Sequence, residues 1–404
     1  IFIYVFIIFF YRCSVFFQST IFILGGKHMD IELYEILTEI AYGLKSKMDK
    51  SIKMENNLWE SNQKYIYDEY LIRAINKLSA WGIKYKIFNN CFIPKNETDA
   101  IVNIFSRSIK NWIKELENYL NEDLSDLYYD ESLIELYGEN KYKITECCDE
   151  LASECSIYNM DSEQYKLFKR LRSLDQNKYV YLRKFIIENP IIGVRERSKL
   201  SEHIKRMGLI EKKVDEFIDL AYEKIPNDAF FYCSNCGWTV SMKGDGSKKC
   251  IDNRCREKTN NFEDLEELGD TRMKLRLKPG VMRYFSLPGI LELNIEKFCI
   301  QNNLEYTLWP NNDSYDIKVQ DRKGNIIVID AKDYSNAFTL AHSLLKSNNI
   351  FNEVEYTKAF IVVPDEAKKR KYDYCTVVNK ALKRVNENVS CITITELFEI
   401  IGEV

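Results

Sequence analysis

The 404-residue chain has no excess of positive charge: 57 Lys and Arg against 61 Asp and Glu leave a formal net charge of −4. Its overall charge therefore does not mark a nucleic-acid-binding protein, and any such surface has to be local. It also lacks an uninterrupted apolar run of the roughly 20 residues that a membrane span needs. The apolar stretches Ile1 to Phe10 and Val15 to Leu24 are each too short, Tyr11 and Arg12 fall between them, and Gln18 interrupts the second. The 12 cysteines follow no regular framework, which argues against a secreted disulfide scaffold and for a reducing, cytoplasmic setting. Internal repeats and low-complexity linkers are missing too.

What remains is the composition of a globular protein, 46% apolar and 29% charged, long enough for two or three domains. The first 28 residues stand apart. The chain begins with Ile, and Gly25-Gly26-Lys27-His28-Met29 back-translates to a purine-rich stretch that resembles a ribosome-binding site ahead of a start codon. Met29 is the expected initiator, with residues 1–28 translated upstream sequence; the rival reading is a membrane-inserted segment.

From residue 29 to 177 the apolar spacing is helical, as in Ile31 to Met48, Tyr70 to Leu78, Ile101 to Leu120 and Tyr165 to Leu171, with almost no strand signal. Acidic Asn121 to Ser132 divides this region into two lobes, and Trp59, Trp81 and Trp112 read as core. Residues 178–229 predict three short helices: Lys178 to Glu188, stopped by Asn189-Pro190, then Arg195 to Met207 and, after a turn at Gly208, Ile210 to Lys224. They fit either a helix-turn-helix or ordinary helix packing.

At residues 230–260 the pattern changes. Cys233-Ser-Asn-Cys236-Gly237 is a metal knuckle, and Cys250 and Cys255 supply a second pair, across a Lys-Gly-Asp-Gly turn at 243–246. Four cysteines at these spacings predict a closed tetrahedral zinc ribbon, structural because no position is left for a substrate. The four residues inside the second pair, rather than two, are its one irregularity. Cys147, Cys148 and Cys155 are expected to be reduced and partly buried.

An acidic linker, Asn261 to Asp270, leads to Arg272, Lys274, Arg276, Lys278 and Arg283. These predict either a strand or arm with one cationic face suited to phosphates, or a solvated edge strand. The rest of 261–404 predicts helix, three strands, helix, strand, helix, strand, helix, a mixed α/β sheet flanked by helices. The first helix carries Glu292 and Glu296. A hairpin follows, Tyr315 to Val319 and Asn325 to Ala331 about a turn at Asp321 to Asn325. Alternation puts Asp330 and Lys332 on one face, with Asp316 able to reach the same end of the sheet. Two carboxylates holding a divalent cation beside an ammonium that orients or deprotonates a water is the apparatus of phosphodiester hydrolysis. His203 and His342 lie outside this set, His342 on the helix that follows.

The order of elements, with Glu292, Asp316 and then Asp330-Ala331-Lys332, resembles the restriction-endonuclease-like nucleases of the PD-(D/E)xK superfamily. Tyr315 stands where the name implies proline. The resemblance implies that Glu292 (Glu296 as fallback), Asp316, Asp330 and the Ala331 carbonyl hold Mg²⁺ while Lys332 acts on the water. More narrowly, Cys-x-x-Cys-Gly, Lys-Pro-Gly, Leu-Glu-Leu, Leu-Trp-Pro, Tyr-Asp-Ile, Ile-Asp-Ala-Lys-Asp and Phe-Ile-Val-Val-Pro-Asp together are similar to the nucleases associating with prokaryotic PIWI-RE proteins. That similarity implies a DNA endonuclease of a phage and plasmid defence system beside a PIWI-RE protein and a DinG-type helicase. A stand-alone restriction or repair nuclease, or an adaptor that holds DNA without cutting, are the alternatives.

Overall fold

The computed structural model describes residues 32–51, 67–87, 92–120, 129–137, 141–155, 163–208, 212–242, 246–252, 254–259, 262–263, 265–347, 351, 354–370 and 373–402. The expectations for residues 1–28, for Trp59, for most of Asn121 to Ser132 and for the turn at 243–245 lie outside them. The chain forms two compact units, each with its own apolar core: residues 1–159, 334–350 and 371–387 in the first, and 160–333, 351–370 and 388–404 in the second. No helix among the described residues is long and apolar enough to cross a membrane.

The first unit is largely helical, with Trp81 and Trp112 buried in its core as expected. Two helices, Ala337–Ser347 and Tyr374–Val385, belong to it by packing although the sequence order assigns them to the 261–404 segment. The near absence of strands needs correcting here. β1 (Ile134–Tyr137) and β2 (Lys141–Ile144) form an antiparallel hairpin. Its strands are four residues long and mostly exposed, Ile134 and Tyr142 excepted, so they carry little of the apolar alternation that announces a strand. The single helix expected from Ile101 to Leu120 is also two pieces, a wide turn at Ile101–Phe105 and a helix at Ile109–Leu120. Cys147, Cys148 and Cys155 are fully buried, as thiols.

The second unit begins with the helix Glu163–Arg172. The helix Gln176–Glu188 follows, started by Asp175, whose carboxylate accepts from the Lys178 amide, and ended before Pro190. Then come β3 (Ile191–Ile192), the helices Val194–Arg206 and Lys212–Ala221, and β4 (Tyr222–Lys224). The last residues of the third expected helix are thus a strand. Gly208 makes the turn between the helices at φ +75°. β3 and β4 flank β8 (Leu275–Leu277) in an antiparallel sheet of order β3-β8-β4. Helix, strand, helix, helix, strand, strand with this strand order is the topology of a winged helix. Between β4 and β8, where a wing would be, the chain places the cysteine-rich segment: β5 (Ala229–Tyr232), β6 (Thr239–Met242), β7 (Lys248–Lys249) and the short helix Arg254–Lys258.

The helix Leu287–Gln301 then leads into a five-stranded mixed sheet of order β13-β12-β11-β10-β9. β9 (Glu305–Leu308), β10 (Ile317–Gln320) and β11 (Ile326–Ala331) are antiparallel. β12 (Lys358–Val363) and β13 (Val389–Thr393) continue parallel to β11. The β10–β11 turn is an Asp321 turn: its carboxylate accepts from the Lys323 and Asn325 amides at 2.9 and 2.8 Å, and Gly324 takes φ +82°. The five strands and their order in the chain match the reading from periodicity.

One close approach fixes how the first helix of this segment sits. A Cβ at Gly289 would lie 2.3 Å from Ile187 Cδ1 and 2.7 Å from its Cγ1, so Leu287–Gln301 and Gln176–Glu188 cross backbone against side chain at this point. One turn along, the same crossing sets Glu292 against Arg183. Gly289→Val is expected to destabilise the fold by about 1–3 kcal/mol through overpacking, read as a lower urea midpoint at unchanged slope. A midpoint within error of the parent's would show that the crossing is loose.

Candidate active site

Strand register assembles the acids. Ile317 faces Ile329, so Asp316 and Asp330, one residue beyond each, meet at the open end of the hairpin. Asp316 is buried; its Oδ2 accepts from the Ala331 amide at 2.6 Å. Lys332, two residues past Asp330 on the same face, donates from Nζ to Asp330 Oδ1 at 2.9 Å, while its backbone amide bonds the Val362 carbonyl at 2.8 Å. The two acids and the lysine are therefore brought together as expected from alternation.

Glu292 is also drawn to this end of the sheet, but it is bound by protein. Arg183 Nη2 donates to both its oxygens at 2.9 Å, and Trp309 Nε1 donates to Oε2. The same guanidinium pairs through Nη1 with Asp313 and with the Tyr179 hydroxyl at 2.8 Å, and its Nη2 lies 4.0 Å from Asp316 Oδ1. Rings of Trp309, Phe285 and Tyr179 surround it at 4.5, 5.3 and 6.0 Å. Glu296, the fallback acid, is buried and taken by Lys184 at 2.6 Å and the Tyr306 hydroxyl at 3.1 Å.

Charges in this setting shift one another. Burial, then the neighbouring Glu292 and Asp330 carboxylates, push the Asp316 carboxyl well above its ordinary range. Burial also raises Glu292, opposed by Arg183 and Trp309; the three hydrogen bonds donated to its two oxygens are the pattern of the ionised form. Burial works against the Lys332 ammonium, but Asp330, Asp316 and Glu292 outweigh it and hold the amine above its usual value.

The loop that carries Trp309 to Asp313 is the part the sequence did not announce as functional. Trp309, Asn311, Asn312 and Asp313 all have positive φ, between 47° and 76°. Asn and Asp tolerate that region; for Trp309 it is costly, and the loop needs outside support. Gln176 supplies it, donating to the Trp309 carbonyl at 2.8 Å and accepting from the Asn312 amide at 2.8 Å. Arg172 donates to the Asn312 and Asp313 carbonyls at 3.1 and 2.6 Å. Arg172, Gln176 and Arg183 were missed because their partners lie more than a hundred residues on; the Asn-Asn-Asp run was the one local signal.

The four cysteines are grouped so that they could hold a metal ion. Cys233, Cys236, Cys250 and Cys255 are buried and their sulfurs all lie within 4.8 Å of one another, the one such group of three or more ligand residues among the described residues. Sulfurs bound to a tetrahedral zinc at about 2.3 Å stand roughly 3.8 Å apart, so the set fits that ion. Gly237, at φ +72°, donates to the Cys233 carbonyl at 2.7 Å, and Cys233 donates back to Trp238. The longer second pair is accommodated by a helix: Cys255 is its second residue, and Asp252 accepts from the Arg254 amide at 2.9 Å. Arg254 then reaches Asp333, the residue after Lys332, at 2.6 Å. Arg283 bonds the Ile251 carbonyl at 2.7 Å, and Lys258 lies 3.5 Å from Glu366.

The basic segment is neither a free arm nor an edge strand. β8 is the middle strand of its sheet. Arg276 pairs with Glu223 and Thr239 over the Trp238 ring, and Lys274 bonds the Tyr232 hydroxyl and the Leu268 carbonyl. Arg272 extends into solvent beside Asp270 at 2.8 Å, and Lys278 caps the next helix start, its amide bonding the Ala221 carbonyl at 2.9 Å. The winged-helix reading has its own obstacle: the third helix exposes Asp215, Glu216 and Asp219, a face that repels phosphate. His342 is buried in the first unit, stacked on Tyr34 at 4.6 Å, and its Nδ1 meets the Phe338 carbonyl at 2.9 Å; His203 stacks on Tyr181 at 3.6 Å.

An acid-acid-lysine group at the end of a mixed sheet, on a hairpin preceded by a helix with a buried glutamate, resembles that of restriction-endonuclease-like proteins, and the family comparison carries the same resemblance. Residues 289–404 match the family described as REase associating with pPIWI_RE. No curated protein and no solved structure matches the chain.

Cys233→Ser is expected to lower the zinc content of the purified protein by about one equivalent per chain, measured by elemental analysis against the parent. Equal zinc in both would refute the ribbon. Arg254→Ala should keep the zinc while amide exchange at 330–334 accelerates; unchanged exchange there would show that the ribbon does not brace the hairpin.

Proposed function

We propose that this protein is a magnesium-dependent endonuclease that hydrolyses DNA phosphodiester bonds as the nuclease of a PIWI-RE-associated defence system. The observation that carries the reading is the crowding of Asp316 and Asp330 at the hairpin end with Lys332 bonded to Asp330. Two such carboxylates short of positive charge suit a hard divalent cation. Asp316 and Asp330 hold it, with the Ala331 carbonyl as a further oxygen; Glu292, expected as a third ligand, is already bound by Arg183. When bound, the ion neutralises charge that grows on the scissile phosphate. Lys332, kept charged by its acidic neighbours, orients the attacking water and stabilises the oxyanion rather than removing the proton. The zinc ribbon has a structural role, with Arg254 as its link to the hairpin.

The PIWI-RE partner rests on the wording of the matched family and the DinG-type helicase on the sequence resemblance; a phosphodiester as substrate is supported by the chemistry of the site, and DNA by the restriction-endonuclease resemblance. The exposed Arg272 is the basic residue of 272–283 best placed to meet a phosphate. Alternatives are a stand-alone restriction or repair nuclease and an adaptor that binds DNA without cutting.

The test is plasmid cleavage by the full chain with Mg²⁺, alone and with a PIWI-RE protein and helicase added. Lys332→Ala and Asp330→Ala should each reduce cleavage by on the order of 10²-fold or more. Cleavage that survives both substitutions sinks the site assignment. Activity only with the partners favours the defence nuclease, activity without them the stand-alone enzyme, and none under any condition the adaptor.

A further inference from the structure

We infer that Arg183 is a resident counter-cation of the site, occupying the charge position of a second metal ion, so that the centre takes one divalent ion and not two. The inference rests on the nuclease reading and goes beyond it. Four carboxylates, Glu292, Asp313, Asp316 and Asp330, face two fixed cations, Arg183 and Lys332. With all six ionised the formal sum is −2, which one divalent cation balances.

Geometry divides the acids into two sets. Arg183 binds Glu292 through both oxygens and Asp313 through its other terminal nitrogen, and is itself buried, 6% exposed, within three aromatic rings. Glu292 has Trp309 as a further donor. To ligate a metal through both oxygens it would have to give up the hydrogen bonds donated by Arg183 and Trp309 and leave the buried guanidinium with Asp313 and the Tyr179 hydroxyl as its remaining close partners. Asp330, by contrast, is partly exposed and bonded only by the Lys332 ammonium among the contacts described, and Asp316 has its Oδ2 on the Ala331 amide and its Oδ1 4.0 Å from Arg183. The exchangeable ion belongs with Asp316 and Asp330. Glu292 is then a positioning residue that holds Arg183 toward the site, and Arg183 lies on Gln176–Glu188, outside the matched residues 289–404.

The test is Mn²⁺ titration of the zinc-loaded full chain, free Mn²⁺ being followed by its electron paramagnetic resonance signal. The parent is expected to take up one equivalent, displaced by excess Mg²⁺, with Asp330→Asn losing it and Glu292→Gln keeping it. Two equivalents in the parent, one of them lost in Glu292→Gln, would overturn the inference and make Glu292 a ligand. No uptake that Asp330→Asn abolishes would instead overturn the metal reading of the proposed function. Arg183→Met together with Glu292→Gln removes both partners of the buried pair, avoiding a stranded charge; it should fold and still bind one equivalent. Loss of that equivalent in the double variant would show that the ion does not belong with Asp316 and Asp330 alone and would also overturn the assignment.

Discussion

Carboxylates at one end of a sheet repel one another, and burial makes each costlier; a chain that folds with Glu292, Asp313, Asp316 and Asp330 together has to supply positive charge to the same volume. Arg183 is the main protein answer. It is planar, charged at any working pH and able to bind Glu292 through two oxygens while pairing Asp313, which a lysine ammonium could not do with the same fixed directions. Its position depends in turn on Gly289, which lets two helices approach until Arg183 reaches Glu292. Removing either partner of such a pair costs about 3–5 kcal/mol, so the backbone crossing and the electrostatics of the site are parts of one constraint.

The same reasoning shows why the nuclease-like stretch is not self-sufficient. Arg172, Gln176 and Arg183 come from the winged-helix module and its preceding helix, and they hold the left-handed loop at Trp309 to Asp313 and the acid of Leu287–Gln301. Arg254 comes from the cysteine-rich segment inserted in that module and binds the residue after Lys332. Thus that segment and the module that holds it both brace the hairpin end. A wing replaced by a segment whose four cysteines could hold a metal, on a module whose third helix exposes Asp215, Glu216 and Asp219, reads as scaffold for the site more readily than as a reader of base edges.

Legibility in the sequence followed the range of the interactions. The hairpin was readable because its turn is local: Asp321, Gly324 and Asn325 carry the geometry within five residues. The cysteine group was readable for a similar reason, Cys233 and Cys236 being a knuckle of short, local spacing with a second pair close behind it. Glu292 was found as an acid on the right helix, but its partner lies 109 residues earlier, and nothing in the spacing of Lys178 to Glu188 distinguishes Arg183 from any arginine on a helix. The basic segment misled because alternation signals a strand and not its place in the sheet: as a middle strand, β8 turns Arg276 inward to Glu223. β1 and β2 escaped notice because four-residue strands with exposed faces have no apolar period to read.

A fixed guanidinium and an exchangeable metal ion differ in more than their charge. A metal brings open coordination positions and can gather water and phosphate oxygen; the guanidinium brings only directed hydrogens, those of its two terminal nitrogens turned to Glu292, Asp313 and Tyr179. Arg183 is committed to Glu292 and Asp313 and Lys332 to Asp330, so the positive charge on which this crowding of acids depends is divided between two side chains and is covalently part of the chain.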